Sequence, residues 1–144
     1  MTEEADEEVT VQRLANALAV PLLRFLGVSA VDPKNPRAGV SMSPTQNVMN
    51  AVDVPHAGAL STILEIAAYL ALLPDLSPAE DAVSHALFVS YIARSKGATP
   101  LFASGQLVRR TRGLAFVTAD VHQGGRLLAK ANVTKSIFAL APAT

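Results

Sequence analysis

Glu65 is the only charged side chain between His56 and Asp75, in a stretch of 18 residues that are otherwise apolar or weakly polar. Burying a carboxylate without a partner costs several kcal/mol, so an acid kept in such a segment either faces solvent or is held for use as a base or nucleophile. Just before it runs Asn50-Ala51-Val52-Asp53-Val54-Pro55-His56-Ala57-Gly58, where a helix is expected to begin. The first turn of a helix presents unpaired N–H groups and a partial positive charge, which suits the oxyanion that develops on a carbonyl under attack. Ala57 and Gly58 are small enough to let a ligand reach those amides. Gly58 and Glu65 lie two helical turns apart, about 10 Å along the axis. If the pair is catalytic, amides and carboxylate are therefore expected to come from different subunits.

The elements that must position these residues can be read from periodicity. Residues 1–8 read as a mobile acidic arm, followed by a helix over Val9–Ala19 and a short apolar turn over Pro21–Leu26 closed by Gly27. Val28–Asp32 and Ala38–Ser43 read as two strands separated by Pro33 and Pro36, and Pro44–Pro55 as a loop leading into the central helix. On that helix Leu60, Ile63, Ala67 and Leu70 form the stripe expected to lie on a sheet. Glu65 shares the other side with Gly58, Ser61, Thr62, Ala68, Tyr69 and Leu72. A solvated helix back would carry several Lys or Glu, so this face is expected to be covered by ligand or by a second subunit. Segments 82–94, 99–111, 114–122 and 126–138 read as strands divided by Lys96-Gly97, Arg112-Gly113 and Gly124-Gly125, connections short enough to make antiparallel neighbours. In the last of them Leu127, Ala129, Ala131, Val133 and Ile137 alternate with Lys130, Asn132, Thr134 and Ser136, giving one buried and one open face. The expected class is α+β, one long helix wrapped by an antiparallel sheet in a single domain over 9–144.

Composition removes several kinds of chemistry. The 144 residues hold no cysteine, which excludes a disulfide framework, a thiolate nucleophile and a Cys-ligated metal. His56, His85 and His122 lack metal-ligand spacing, and His85 and His122 read as structural. Nucleotide-binding glycine motifs, a nucleophile elbow and a zinc-protease helix are missing. No metal and no resident cofactor is expected. The acidic N-terminal residues are the opposite of a signal peptide, so a cytoplasmic location is expected. The apolar run Ala57–Leu73 is shorter than the ~20 residues of a membrane span and contains Glu65, which favours a buried helix over a membrane one. Net charge is zero, yet between Arg94 and Lys135 eight bases face Asp120 alone. That excess is either a solvated surface or a pocket for a polyanionic small molecule; nucleic acid fits poorly, because aromatics are few and no binding motif accompanies the bases.

The spacing Asn50, His56, Gly58, Glu65 on a buried helix, followed by four long strands, resembles the hotdog-fold thioesterases of the phenylacetate-pathway (PaaI-like) type, over about Gly27 to Phe138. Val83-Ser84, Val89-Ser90-Tyr91 and the ending Leu128-Ala129 through Val133-Thr134-Lys135 are similar to later landmarks of that family. The resemblance implies hydrolysis of acyl-coenzyme A thioesters at the interface of a homodimer, with dimers that often pair into tetramers, and coenzyme A as part of the substrate. It also implies roles. The N–H of Ala57 or Gly58 would polarise the thioester carbonyl, Asn50 and His56 would shape the loop and hold the carbonyl or the attacking water, Glu65 would be general base or nucleophile, and Ser84 would help place the water. Tyr91, Lys96, Arg109, Arg110, Arg112 and Gly113 correspond to the region where relatives bind coenzyme A. Three positions depart from the pattern: Asp53 stands where glycine is common, Ala57 replaces the first glycine after His56, and Gly113 lies two positions late. If position 57 required a positive φ, alanine would be strained there; Asp53 is alternatively read as a helix cap. The expected function is an acyl-CoA thioesterase for a medium-chain or aryl acyl group. The alternatives are a non-catalytic acyl-CoA-binding or assembly module of the same fold, and a hotdog hydratase or dehydratase.

Overall fold

The computed structural model describes residues 2–142. Helix α1 spans Glu3–Leu18, capped by Thr2, whose hydroxyl accepts from the Ala5 N–H at 3.3 Å. Where an acidic arm is expected over residues 1–8, the helix has already begun. Glu3, Glu4 and Asp6 occupy its first turn, where negative charge complements the helix dipole, so the acidic run that reads as a mobile arm favours a helix start. Helix α2, Pro21–Leu26, opens on a proline and closes at Gly27 with φ 73°, a left-handed C-cap for which glycine carries no Cβ penalty. It replaces the expected apolar turn.

Strands β1 (Val28–Ala30) and β2 (Val40–Met42) precede the central helix α3 (Ala57–Leu72), and β3 (Glu80–Tyr91), β4 (Leu101–Arg110), β5 (Leu114–Gln123) and β6 (Arg126–Ala139) follow it. All six strands form one antiparallel sheet in the order β1-β2-β4-β5-β6-β3. The β5–β6 hairpin turns on Gly124 and Gly125, at φ 56° and 79°, the paired positive φ of a tight turn that matches strand twist. Helix α3 lies across β4 and β5. Ile63 and Leu70 are fully buried there and Ala67 nearly so, as the apolar stripe predicts. The two layers come close at Gly105 of β4, where a Cβ would stand 2.8 Å from the Ala67 carbonyl oxygen. The helix and the turn after it have the length and composition of a membrane span, but most of that segment is packed inside the fold.

A long helix wrapped by a curved antiparallel sheet is the hotdog architecture. The second face of α3 departs from expectation. Ala68 and Leu72 are fully buried within the protomer, so this face is partly covered by the chain itself rather than only by a ligand or another subunit. Glu65, Tyr69, Ser61 and Thr62 remain half-buried along it. Strand β3 pairs with β6 on one side only and stands at the edge of the sheet.

Candidate active site

The loop that leads into α3 is built by two side chains. The Asn50 carboxamide oxygen accepts from the N–H groups of Val52 (2.9 Å) and Val54 (3.2 Å), and the Asn50 N–H reaches the Val54 carbonyl at 2.8 Å. The chain turns back at Asp53, the one non-glycine among the described residues with a positive φ, 57°. Its left-handed backbone accounts for glycine being the usual residue at that place in the resemblance, and Asp is among the residues that tolerate it best. Asp53 does not cap the helix, because the cap is His56. Its Nδ1 accepts from the Gly58 N–H at 2.8 Å. An imidazole nitrogen that accepts is the unprotonated one, so in the neutral ring Nε2 carries the hydrogen and is the side chain's outward donor.

The same bond sorts the two amides. Gly58 N–H is occupied by His56, whereas Ala57 N–H has no acceptor among the described residues. Ala57 is the first helical residue and has a negative φ, so alanine there carries no strain. At this end of α3, Tyr91 reaches in from β3: its hydroxyl touches Ser61 Oγ and donates to the Ala57 carbonyl at 3.2 Å. A cavity of about 230 Å³ opens beside the helix start, lined by Leu22, Leu26, Val48, Met49, His56 and Gly58 among others.

Two turns further on, Glu65 is joined to β3 and β6. The Ser84 hydroxyl donates to Glu65 Oε1 at 2.7 Å. Lys135 donates to the same oxygen and, at 2.9 Å, to Ser84 Oγ. The Lys135 side chain is 1% exposed and that of Glu65 36%. The ammonium also lies 5.6 Å from the centroid of the Tyr69 ring, within cation–π range. Glu65 Oε2 has no hydrogen-bond partner among the described residues. Charge counting along the chain places Lys135 only among the bases and misses its part in the site. The signal that could have found it is phase, because Ala129, Ala131, Val133, Lys135 and Ile137 fall on alternate positions of β6, and 129, 131 and 133 face the core.

Beyond Glu65, Tyr69 donates to Asp81 at 2.9 Å, and Asp81 is paired with Arg13 of α1 at 3.3 Å. Burial, reinforced by the Asp81 carboxylate, pushes the Tyr69 hydroxyl up to about 12. Glu80 is held below the usual carboxylate range, first by the Ser77 N–H and then by Arg110.

The coenzyme A residues expected from the resemblance fall into two groups within a protomer. Tyr91 stands at the N-terminal end of α3, and Lys96 follows it in the β3–β4 connection, its N–H held by Gln123 at 2.7 Å. Arg109, Arg110, Arg112 and Gly113 lie at the other end, where Arg110 binds Glu80 and the Asp75 carbonyl just past the C-terminus of α3. Arg110 is thus occupied, while Arg109 and Arg112 have no ion pair among the described residues. His85 Nδ1 pairs with Ser136 at 2.8 Å across β3 and β6, and no cluster of three metal-ligating side chains occurs among the described residues.

The class defined by this architecture is the hotdog fold. Similar solved structures include a thioesterase from Haemophilus influenzae (TM-score 0.79, 15% identity, 92% of each chain covered). The PaaI protein of the Escherichia coli phenylacetic acid degradation operon matches at TM-score 0.77 and 16% identity over 90% of this chain and 94% of its own. A Bacillus halodurans protein solved with CoA matches at TM-score 0.76 and 18% identity over 96% and 93%. No protein-family profile and no curated protein matches the chain. At these identities the likeness is one of fold, and on that ground it agrees with the PaaI-like resemblance read from the residues.

Proposed function

We propose that this chain is an acyl-CoA thioesterase, acting in the cytoplasm as a homodimer on a medium-chain or aryl acyl group. The observation that carries the reading is Glu65: a helix-borne carboxylate with one oxygen tied to Ser84 and Lys135 and the other free. A free, oriented carboxylate oxygen is what proton abstraction from water requires, and equally what direct attack on a carbonyl requires. In the first route Oε2 takes a proton from water as the water oxygen bonds to the thioester carbon; the C–S bond then breaks, and the departing thiolate takes up the proton to leave a free acid and coenzyme A. In the second, Oε2 itself bonds to the carbon, the C–S bond breaks to release the coenzyme A thiolate, and water then hydrolyses the resulting anhydride to the free acid and the Glu65 carboxylate, the water's second proton being taken up by the thiolate.

The charge that grows on the carbonyl oxygen needs a donor, and the free Ala57 N–H at the positive end of α3 is suited to it, with His56 Nε2 beside it. Two turns separate that amide from Glu65 in one protomer, so the amide serving a given Glu65 belongs to a second protomer. On this reading the divided coenzyme A residues also come from two protomers, with Tyr91 and Lys96 of one and Arg109 and Arg112 of the other touching a single ligand. The cavity at the helix start, walled by Leu22, Leu26, Val48 and Met49, fits an apolar acyl group. That a hotdog protein of 18% identity was solved with CoA supports this ligand class.

Hydrolysis is tested by following thiol release from a panel of medium-chain and aryl acyl-CoA esters. Wild-type protein should turn over at least one of them, and Glu65→Gln should lower kcat about 100-fold or more while coenzyme A binding, measured by calorimetry, is retained. A folded, dimeric wild-type protein that cleaves none of the panel and still binds coenzyme A would identify a binding module instead.

A further inference from the structure

We infer that Lys135 is a positioning residue for Glu65, fixing Oε1 so that Oε2 is the working oxygen; this rests on the thioesterase reading above. Lys135 sits on the inward phase of β6, in register opposite Ser84 on β3 and Ala115 on β5. An apolar residue there would continue the run of Ala129, Ala131 and Val133. A buried ion pair is seldom more stable than well-packed apolar side chains of the same volume, because desolvating both charges offsets their attraction. Stability therefore does not account for a lysine that is 1% exposed.

The contacts suggest what does. An ammonium has three N–H donors and accepts nothing. Here two of its directions are filled by Glu65 Oε1 and Ser84 Oγ, and the Tyr69 ring lies 5.6 Å away. Because Ser84 Oγ accepts from Lys135, the single hydroxyl hydrogen of Ser84 is free to point at Glu65 Oε1, 2.7 Å away. Lysine thus sets the direction of the serine hydroxyl, and the two together hold one oxygen of the carboxylate. Ser84 retains a lone pair with which it can accept from a water but no hydrogen to give one. Rotation of the carboxylate about its last bond, which would exchange the two oxygens, breaks both contacts at once. Aim at the reacting carbon is thereby fixed before substrate arrives, and catalytic efficiency depends steeply on such alignment.

A merely structural lysine would affect folding but not the coupling between positions 65 and 135 in turnover. The test is a four-corner cycle of wild type, Lys135→Met, Glu65→Gln and the double variant, each measured for kcat, KM and urea unfolding. Lys135→Met should lower kcat about 30-fold with KM changed less than about threefold, and should cost less than about threefold when Glu65 is already Gln. An equal loss on both backgrounds, or an unchanged kcat in folded Lys135→Met, overturns the proposal. If Lys135→Met does not fold, Lys135→Gln takes its place in the cycle. Should wild type cleave no thioester, the thioesterase reading falls separately, and the unfolding data decide whether Lys135 holds Glu65. Coupling of about tenfold or more in the folding constant supports the hold, and additive effects overturn it.

Discussion

Removing the Glu65 carboxylate does something that removing a solvent-facing glutamate would not. Lys135 is more deeply buried than the acid and would be left without its counter-ion. Breaking a buried pair from one side is costly, though Ser84 still accepts from Lys135 and the Glu65 side is partly open. Glu65→Ala is expected to lose about 1–3 kcal/mol in urea unfolding, and a gain in stability would show that the ammonium is solvated by other means. Tyr69 supplies a second residue-scale prediction. Its hydroxyl is raised from 10.0 to about 12 by burial and Asp81, so between those values the unfolded chain has lost a proton that the folded chain keeps. Stability should fall as pH rises through that window, and the fall should be shallower in Tyr69→Phe. The chain has two tyrosines, so the difference in phenolate absorbance between wild type and Tyr69→Phe reports this hydroxyl; a titration near 10 would contradict its buried, Asp81-bound state.

At the scale of elements, the site depends on how closely α3 lies on the sheet. Gly105 is where the two layers meet: a Cβ there would come 2.8 Å from Ala67 oxygen and 3.0 Å from Ala71 Cβ. The first of these is backbone, which cannot rotate aside. Gly105→Ala should therefore lift the helix and cost about 1–3 kcal/mol, despite the better strand propensity of alanine. Because Ala67 is two residues from Glu65, the same change should lower kcat by misaligning the carboxylate with Ser84. Unchanged melting temperature and turnover would mean that the two layers have room to absorb a methyl group. The strand register carries the other half of the site: β3 and β6 run antiparallel with Ser84 opposite Lys135, and a one-residue slip of either strand would send its member of the pair to the outer face.

For the whole molecule, the homodimer proposed above would turn on β3. It is 12 residues long, lies at the sheet edge and exposes Val83, Leu87, Phe88 and Tyr91. An edge of that length and polarity is a template for pairing with another chain. On the homodimer proposed above, wild type should sediment as a dimer or a larger even assembly. Placing charges on β3 with Leu87→Asp and Phe88→Asp should shift it toward monomer and abolish turnover together, since the Ala57 amide and Glu65 would no longer share a site. A monomeric wild type, or a monomeric variant with full activity, would rule out a shared site.

How much of this is legible before folding follows from the range of each interaction. The 3.6-residue stripe on α3, the two-residue alternation of β6, the glycine turns and the lone acid at 65 are local patterns, each set by a few neighbouring residues, and with the spacing of Asn50, His56, Gly58 and Glu65 they suffice for the fold class and single out Glu65 as the candidate acid. The acidic start, which reads as an arm, and Pro21–Leu26, which reads as a turn, are also local, but both become helices through capping by Thr2 and Gly27. What needs tertiary structure is the geometry around Glu65, where the resemblance already gives Ser84 a role but gives Lys135 none. Ser84 is 19 residues away and Lys135 is 70, and which oxygen they hold, which amide of Ala57 and Gly58 stays free, and which of the arginines is already occupied depend on strand order and on a helix laid across the sheet. No spacing along the chain encodes those distances, because they are set by packing between elements rather than within one.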